Sequence, residues 1–351
     1  MSSRKEKISL FEVTLPDKAY FKKALKKYNV YFFHNKIDKN CLPKQNNFKI
    51  ISPFVNSKID KKVIAHFPNL KFIAARSTGV DHIDLKECQK RGIKVANVPI
   101  YGDNTVAEHT FALILNLSRK IFKSFDQIKE TGSFSLREIQ GIDLKNKILG
   151  IIGTGNIGRY VISIAKAFQM KVLAFDLYPN KELTKKLDFK YTKNLEELLK
   201  KSDIITLHIP LNTQTHHLIN KNNIYKIKRG AILINTARGG IIETEALLKA
   251  LKDKHLAGAG LDVLEGEKTI KEELEIFTTD KYEVYDLVEG YKTKEEDLKV
   301  LVQNRILIDL ENVVITPHNA FNSKEALQRI CETTIENIES FINNNPQNLV
   351  I

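Results

Sequence analysis

Strand-like apolar runs alternate with helical patterns along almost the whole chain, and this rhythm limits the fold more than any other feature. A strand followed by a crossover helix rejoins its sheet in parallel, so such a chain builds parallel βα layers rather than a sandwich of hairpins. Strands are predicted at 7–13, 29–33, 48–52, 70–75 and 93–97, with helices at 17–28, 57–66 and 81–90 among them. The turn-rich stretch Val98-Pro99-Ile100-Tyr101-Gly102-Asp103-Asn104 then breaks the rhythm, and one or two helices follow over 105–130. A second series opens at Lys147, with strands at 147–152, 171–176, 203–208, 231–236, 258–264 and 313–316. Its helices fall after the first of these strands, near 194–201, 220–227 and 243–254, and a closing helix covers 323–343. The charged segment 268–312 fits neither pattern well. A length of 351 residues supports two domains, each with its own core. The first boundary is expected in the break after 98.

The formal net charge of +13 raises the question of a nucleic-acid or anionic-membrane surface. The lysines lie in scattered pairs such as Lys22-Lys23, Lys61-Lys62 and Lys185-Lys186, with no long basic block and no interleaved aromatics. They read as a solvated surface that favours anionic ligands, and neither nucleic acid nor membrane is expected as a partner. No apolar run approaches the ~18 residues of a membrane helix, and the basic start leads straight into the first strand. Cys41, Cys88 and Cys331 are scattered, without C-x-x-C or metal spacing. That usage fits a reducing compartment, so the cytoplasm is the expected location, with no disulfide framework and no metal.

The strand ending at Ile152 runs into Gly153-Thr154-Gly155-Asn156-Ile157-Gly158, and a helix follows with one apolar stripe along Ile157, Val161, Ile164, Ala165 and Phe168. A lone G-x-G-x-x-G is weak, but here it sits between strand and helix, as dinucleotide binding requires. Gly153 permits the turn, Gly155 lets backbone approach a pyrophosphate, and Gly158 lets helix and strand lie close. The helix N-terminus then offers unpaired N–H groups and its positive dipole end. Asp176 ends the next strand, close to the ~20-residue spacing of a carboxylate that grips a ribose 2′-hydroxyl. A carboxylate there repels a 2′-phosphate, which favours NAD over NADP.

In open α/β sheets ligands bind beyond the carboxyl ends of the strands. Those ends carry, in order, the glycine loop, Asp176, His208-Ile209-Pro210, Thr236-Ala237-Arg238, Asp262 with Glu267 just beyond, and Pro317-His318. An arginine, two carboxylates and a histidine beside a nicotinamide suit hydride chemistry on a carboxylic acid. Arg238 can hold a carboxylate and polarise a carbonyl through its fixed fork of donors. Histidine is the side chain that titrates near neutrality, which makes His318 the acid–base candidate. Glu267 can hydrogen-bond its second ring nitrogen. His109, His208, His216, His217 and His255 read as structural residues.

At these positions the sequence resembles the D-isomer-specific 2-hydroxyacid dehydrogenase family, in its D-lactate dehydrogenase-like branch. The matching stretches are Arg76 to Asp84, Val106-Ala107-Glu108-His109, Gly153 to Gly158, Asn235 to Gly240, Leu261-Asp262-Val263 and Thr316 to Phe321. The resemblance implies an α/β fold of two Rossmann-like, doubly wound parallel-sheet domains with a cleft between them. The substrate domain would be discontinuous, 1–102 with 320–351, and the NAD-binding domain would be 103–319. It places the family's arginine, glutamate and histidine on Arg238, Glu267 and His318. The backbone at Gly79 and Val80 would take the substrate carboxylate, with Tyr101 close by. Besides the three glycines, cofactor contacts would fall on Asn156, Ile157, Asp176, Ile209, Pro210, Thr215, Thr236, Ala237 and Asp262. The helices after 103 would form a two-fold homodimer interface.

The sequence departs from the family pattern in two places. Lys268 follows Glu267 where a proline is common, leaving Glu265 as an alternative, though its spacing from Asp262 fits less well. The interval from Glu267 to His318 is also long, and its extra residues, Tyr282 to Gln303 among them, have three readings: a cleft cover, a dimer extension or a surface excursion. The expected reaction interconverts a small 2-oxo acid and its D-2-hydroxy acid. The alternatives are a glyoxylate or hydroxypyruvate reductase and a non-enzymatic NAD-sensing corepressor on the same fold. An intact arginine, glutamate and histidine set favours the enzyme.

Overall fold

The computed structural model describes residues 6–267 and 295–351. Residues 268–294, which hold part of the long interval before His318, lie outside the described residues. Two compact units emerge: Met1–Gly102 with Asn322–Ile351, and Asp103–Phe321.

In the first unit β1 (Lys7–Leu10), β2 (Asn29–Phe32), β3 (Ile50–Ser52), β4 (Phe72–Ala74) and β5 (Lys94–Ala96) form one parallel sheet, ordered β2-β1-β3-β4-β5. Neighbouring residues point to opposite faces, so Ile50 and Phe72 enter one core while Ile51 and Ile73 enter the other. Helices α1 (Leu15–Ala24), α2 (Lys61–His66) and α3 (Leu85–Lys90) cover the sheet with the closing helix α11 (Lys324–Ile342), whose Phe341 stacks on Phe72 at 4.3 Å. α2 and α3 start four residues later than the periodicity predicts, and side-chain caps explain both shifts. Asp60 accepts from the amides of Lys62 and Val63, and Asp84 accepts from that of Glu87. Each fixes a non-helical residue in front of the first turn.

The second unit holds β6 (Ile148–Ile152), β7 (Lys171–Phe175), β8 (Lys190–Tyr191), β9 (Ile204–Leu207), β10 (Ile232–Asn235), β11 (Gly258–Leu261) and β12 (Val313–Ile315). The sheet is parallel throughout, ordered β12-β11-β10-β9-β6-β7-β8. It grows outward from β6 in one direction, then reverses at β9, and this switch point places the loops after β6 and β9 side by side. The flanking helices are α4 (Asp103–Arg119), α5 (Ile121–Thr131), α6 (Asn156–Ala167), α7 (Lys181–Leu187), α8 (Leu195–Lys201), α9 (Thr244–Lys252) and α10 (Glu295–Ile308). Phe111 and Ile114 of α4 pack with Val161 and Ile162 of α6 on one face, while Leu247 and Leu251 of α9 join Ile205 and Leu233 on the other. Lys120, at φ 55°, separates α4 from α5. Three features differ from the sequence reading. The helix expected at 220–227 is a single 3₁₀ turn, Ile224–Lys226, because Asn223 and Asn220 side chains capture the amides of Asn220 and Asn222. The pair α7–β8 has no counterpart among the predicted elements, and α10 lies within the charged segment 268–312. Among the described residues no helix is long and apolar enough to cross a membrane.

Candidate active site

The loop after β6 owes its path to its glycines. Gly153 has φ 97°, and a Cβ there would strike the carbonyl of His208 beyond β9. A Cβ on Gly158 would collide with the Gly153 carbonyl, so α6 could not approach its strand. Gly155 differs: a Cβ there would meet nothing within 4 Å. It precedes α6 without a side-chain cap bond, leaving the first amides of Asn156, Ile157 and Gly158 with no side-chain acceptor at that cap. An open backbone surface at a helix N-terminus fits a pyrophosphate.

Asp176, at the end of β7, accepts from the Thr154 amide (2.7 Å) and hydroxyl (2.8 Å) through Oδ2, and from the Tyr178 amide (2.9 Å) through Oδ1. Desolvation alone would raise its pKa, but these donors outweigh it and hold the carboxyl below the usual range. An ionised carboxylate with a lone pair remaining on Oδ1 fits a ribose hydroxyl. The glycine loop and Asp176 therefore match the two ends of an adenosine diphosphate moiety.

Beyond β10, the buried Asn235 side chain accepts from the Ala237 amide (3.0 Å) and donates to the Arg238 carbonyl (2.9 Å), which fixes the turn carrying Arg238. Arg238 is half-buried and donates from Nη1 to the Ala237 carbonyl (2.7 Å). A Cβ on Gly239 would clash with the backbone of Leu264 and Glu265, so this turn lies directly against the loop after β11. That loop carries both candidate glutamates, and they have different partners. Glu267 accepts from the Leu264 amide through Oε1 and from His318 Nδ1 through Oε2, each at 2.9 Å. Glu265 accepts from His217 Nε2 at 2.6 Å and from the Thr244 hydroxyl at 2.7 Å.

His318 sits in the left-handed region, φ 54°, with its amide donating to the Asp262 carbonyl. The Asp262 carboxylate, 1% exposed, accepts from the Thr316 hydroxyl (2.6 Å) and the amides of Asn319 and Ala320 (2.9 Å each), wrapping the turn around His318. His109 of α4 touches Thr316 Oγ1 at 3.0 Å and so braces the same turn. The Nε2 of His318 is engaged by none of the described residues. The turn thus presents a histidine oriented by Glu267 on one nitrogen and open on the other.

The remaining expected contacts are engaged locally. Thr215 donates to the Pro210 carbonyl at 2.6 Å, tying Ile209-Pro210 to the turn that follows, and Thr236 pairs with Thr110 at 3.0 Å. In the first unit Ser77 donates to the Gly79 carbonyl and Arg329 to the Tyr101 carbonyl. No backbone carbonyl among the described residues accepts from the amides of Gly79 or Val80. Sequence reading missed Tyr191, which hydrogen-bonds Thr154, and it passed over the buried role of Asn235, whose place in the 235–240 motif was the available signal.

A family model described as D-isomer specific 2-hydroxyacid dehydrogenase, NAD binding domain, matches residues 111–320. The chain belongs to the D-isomer-specific 2-hydroxyacid dehydrogenase family, as an NAD-binding oxidoreductase of the D-lactate dehydrogenase-like kind. The structure of D-lactate dehydrogenase from Aquifex aeolicus, complexed with NAD and lactic acid, superposes with a TM-score of 0.80 at 36% identity over 98% of each chain. The D-lactate dehydrogenase of Escherichia coli K12 is 30% identical over 95% of this chain and 96% of its own. An aromatic 2-oxoacid reductase of Clostridium sporogenes is 37% identical over 78% of this chain and 76% of its own.

Proposed function

We propose that this enzyme reduces a small 2-oxo acid to the D-2-hydroxy acid, with Arg238, Glu267 and His318 as its catalytic residues. The observation that carries the reading is the 2.9 Å bond from His318 Nδ1 to Glu267, which leaves Nε2 to face a substrate oxygen. A carboxylate only accepts, so Nδ1 holds its proton and the transferable one belongs on Nε2. Glu267 steadies the imidazolium and fixes the ring plane, and the imidazolium donates to the oxygen that becomes the alcohol. Arg238 grips the carboxylate of the acid and polarises the neighbouring carbonyl through a second donor. The amides of Gly79 and Val80 take the other carboxylate oxygen, and Tyr101 borders it. When bound, NADH supplies the hydride to the 2-carbon.

In this reading Asp103–Phe321 is the cofactor domain and Met1–Gly102 with Asn322–Ile351 the substrate domain. Cofactor contacts come from the glycine loop with Asn156 and Ile157, from Asp176, Ile209, Pro210 and Thr215, and from Thr236, Ala237 and Asp262. The enzyme works as a homodimer through α4 and α5 and resides in the cytoplasm, in keeping with three unpaired cysteines. The test follows NADH absorbance on addition of pyruvate, glyoxylate, hydroxypyruvate or phenylpyruvate. Rapid oxidation with pyruvate or a larger 2-oxo acid is the expected result. Tight NADH binding without turnover of any of the four would point instead to a sensing protein.

A further inference from the structure

We infer that Tyr191, through Thr154, is the positioning residue that locks the Asp176 carboxylate for the adenosine ribose and so sets the preference for NADH over NADPH. The inference rests on the proposed role of Asp176 and adds a residue no part of that role names. Three hydrogen bonds form a chain whose directions follow from valence alone. Asp176 is ionised and can only accept, so the single proton of the Thr154 hydroxyl must go to Oδ2 at 2.8 Å. Thr154 Oγ1 then has only lone pairs for Tyr191 Oη, 2.8 Å away, and the tyrosine must donate. With its own proton spent, Tyr191 Oη accepts from the Asn180 amide at 3.2 Å.

Every proton in this chain points toward the carboxylate, and aligned bonds of this kind polarise one another. Thr154 is buried at 4% exposure, so its hydroxyl has no ready exchange with water. The two ends of the chain also matter. Asn180 caps α7 through its side chain, accepting from the amides of Glu182 and Leu183. Tyr191 therefore fastens the exposed segment between Asp176 and α7 to the glycine loop. Leu177 and Tyr178 on that segment are 64% and 87% exposed, so side-chain burial holds it little. A pinned carboxylate keeps its spare lone pair on a ribose hydroxyl and cannot turn away from a 2′-phosphate. A loosened one binds the hydroxyl less well and repels the phosphate less.

Equilibrium dissociation constants for NADH and NADPH, measured by calorimetry on the intact protein, test this. Tyr191→Phe should weaken NADH by about three- to tenfold, the span of one hydrogen bond. NADPH should lose less, so the ratio of the two constants shrinks, while kcat at saturating NADH stays within about twofold. Thr154→Val should act in the same direction, and Thr154→Ser should restore the ratio. A merely structural tyrosine would lower thermal stability and leave the ratio alone. If the ratio holds in Tyr191→Phe but collapses in Asp176→Ala, the tyrosine inference is overturned and the carboxylate reading survives. If it holds in Asp176→Ala too, both are overturned. Should Tyr191→Phe fail to fold, the threonine pair decides: a wild-type ratio in Thr154→Val overturns the chain.

Discussion

His208 and His318 bring the same ring to the ends of two strands of one sheet and meet opposite surroundings. His208 is partly buried, with Nε2 against the Thr206 hydroxyl at 3.0 Å, and desolvation pushes its pKa down to about 3. The unfolded chain takes up a proton near pH ~6.5 that the native state excludes, so stability falls as pH drops from there toward the folded value. His208→Asn removes the titration and keeps a polar group near Thr206. The stability lost between pH 7 and pH 5, read from urea unfolding, should shrink by up to about 2 kcal/mol in this variant. An identical loss in both proteins would mean that His208 is not held neutral. His318, by contrast, is half-exposed and bound to Glu267, with Glu265 committed to His217 and Thr244. Deleting one charge should therefore separate the glutamates. Glu267→Gln should cost at least about tenfold in kcat, ~1.4 kcal/mol of transition-state stabilisation, with NADH affinity unchanged. Glu265→Gln should instead lower stability by about 1–2 kcal/mol and keep most of kcat. The reverse pattern would move the role of steadying the imidazolium to Glu265.

Elements decide where such residues can stand, and turns decide how firmly. The turn after β12 depends on one buried carboxylate: Asp262 receives three donors from Thr316, Asn319 and Ala320 and holds His318 at a left-handed backbone angle. Asp262→Asn keeps the shape but turns one acceptor into a donor, facing an amide with an amide. Each unpaired buried group costs about 1–3 kcal/mol. The melting temperature should fall by several degrees and kcat by more than tenfold; wild-type values for both would show that the turn holds itself. The strand ends carrying Gly153, Asp176, Arg238 and His318 were legible because parallel strands advertise themselves as apolar runs that stop at turn residues. Helix starts were less so, since Asp60 and Asp84 override the apolar periodicity by capping later turns. β8 was invisible because two residues, Lys190–Tyr191, have no period, and with it went the contact from Tyr191 to Thr154. The His217–Glu265 pair was equally hidden, as it joins loops far apart in the chain and follows no strand-end rule.

At the scale of the whole molecule, α5 poses a problem that one copy of the chain does not solve. None of its residues is buried, yet Ile121, Phe122, Phe125 and Ile128 line one side of it at 46–58% exposure. An amphipathic helix with its apolar stripe in water marks a contact surface. In the proposed homodimer a second copy covers it, because a two-fold axis lets the same stripe cover itself. Burying four such side chains on each copy contributes gross stabilisation of order 10 kcal/mol, enough to offset much of the ~4–15 kcal/mol that association costs. The net charge of +13 on each chain opposes pairing through long-range repulsion, which salt screens beyond about 10 Å at 0.1 M. Wild-type protein should therefore sediment as a dimer at micromolar concentration, and more tightly as salt is raised. Phe125→Glu puts a carboxylate into the apolar stripe of each copy without touching the glycine loop or the strand ends. It should sediment as a monomer while binding NADH within about threefold of wild type. A variant that still sediments as a dimer would remove α5 from the interface, whatever its activity.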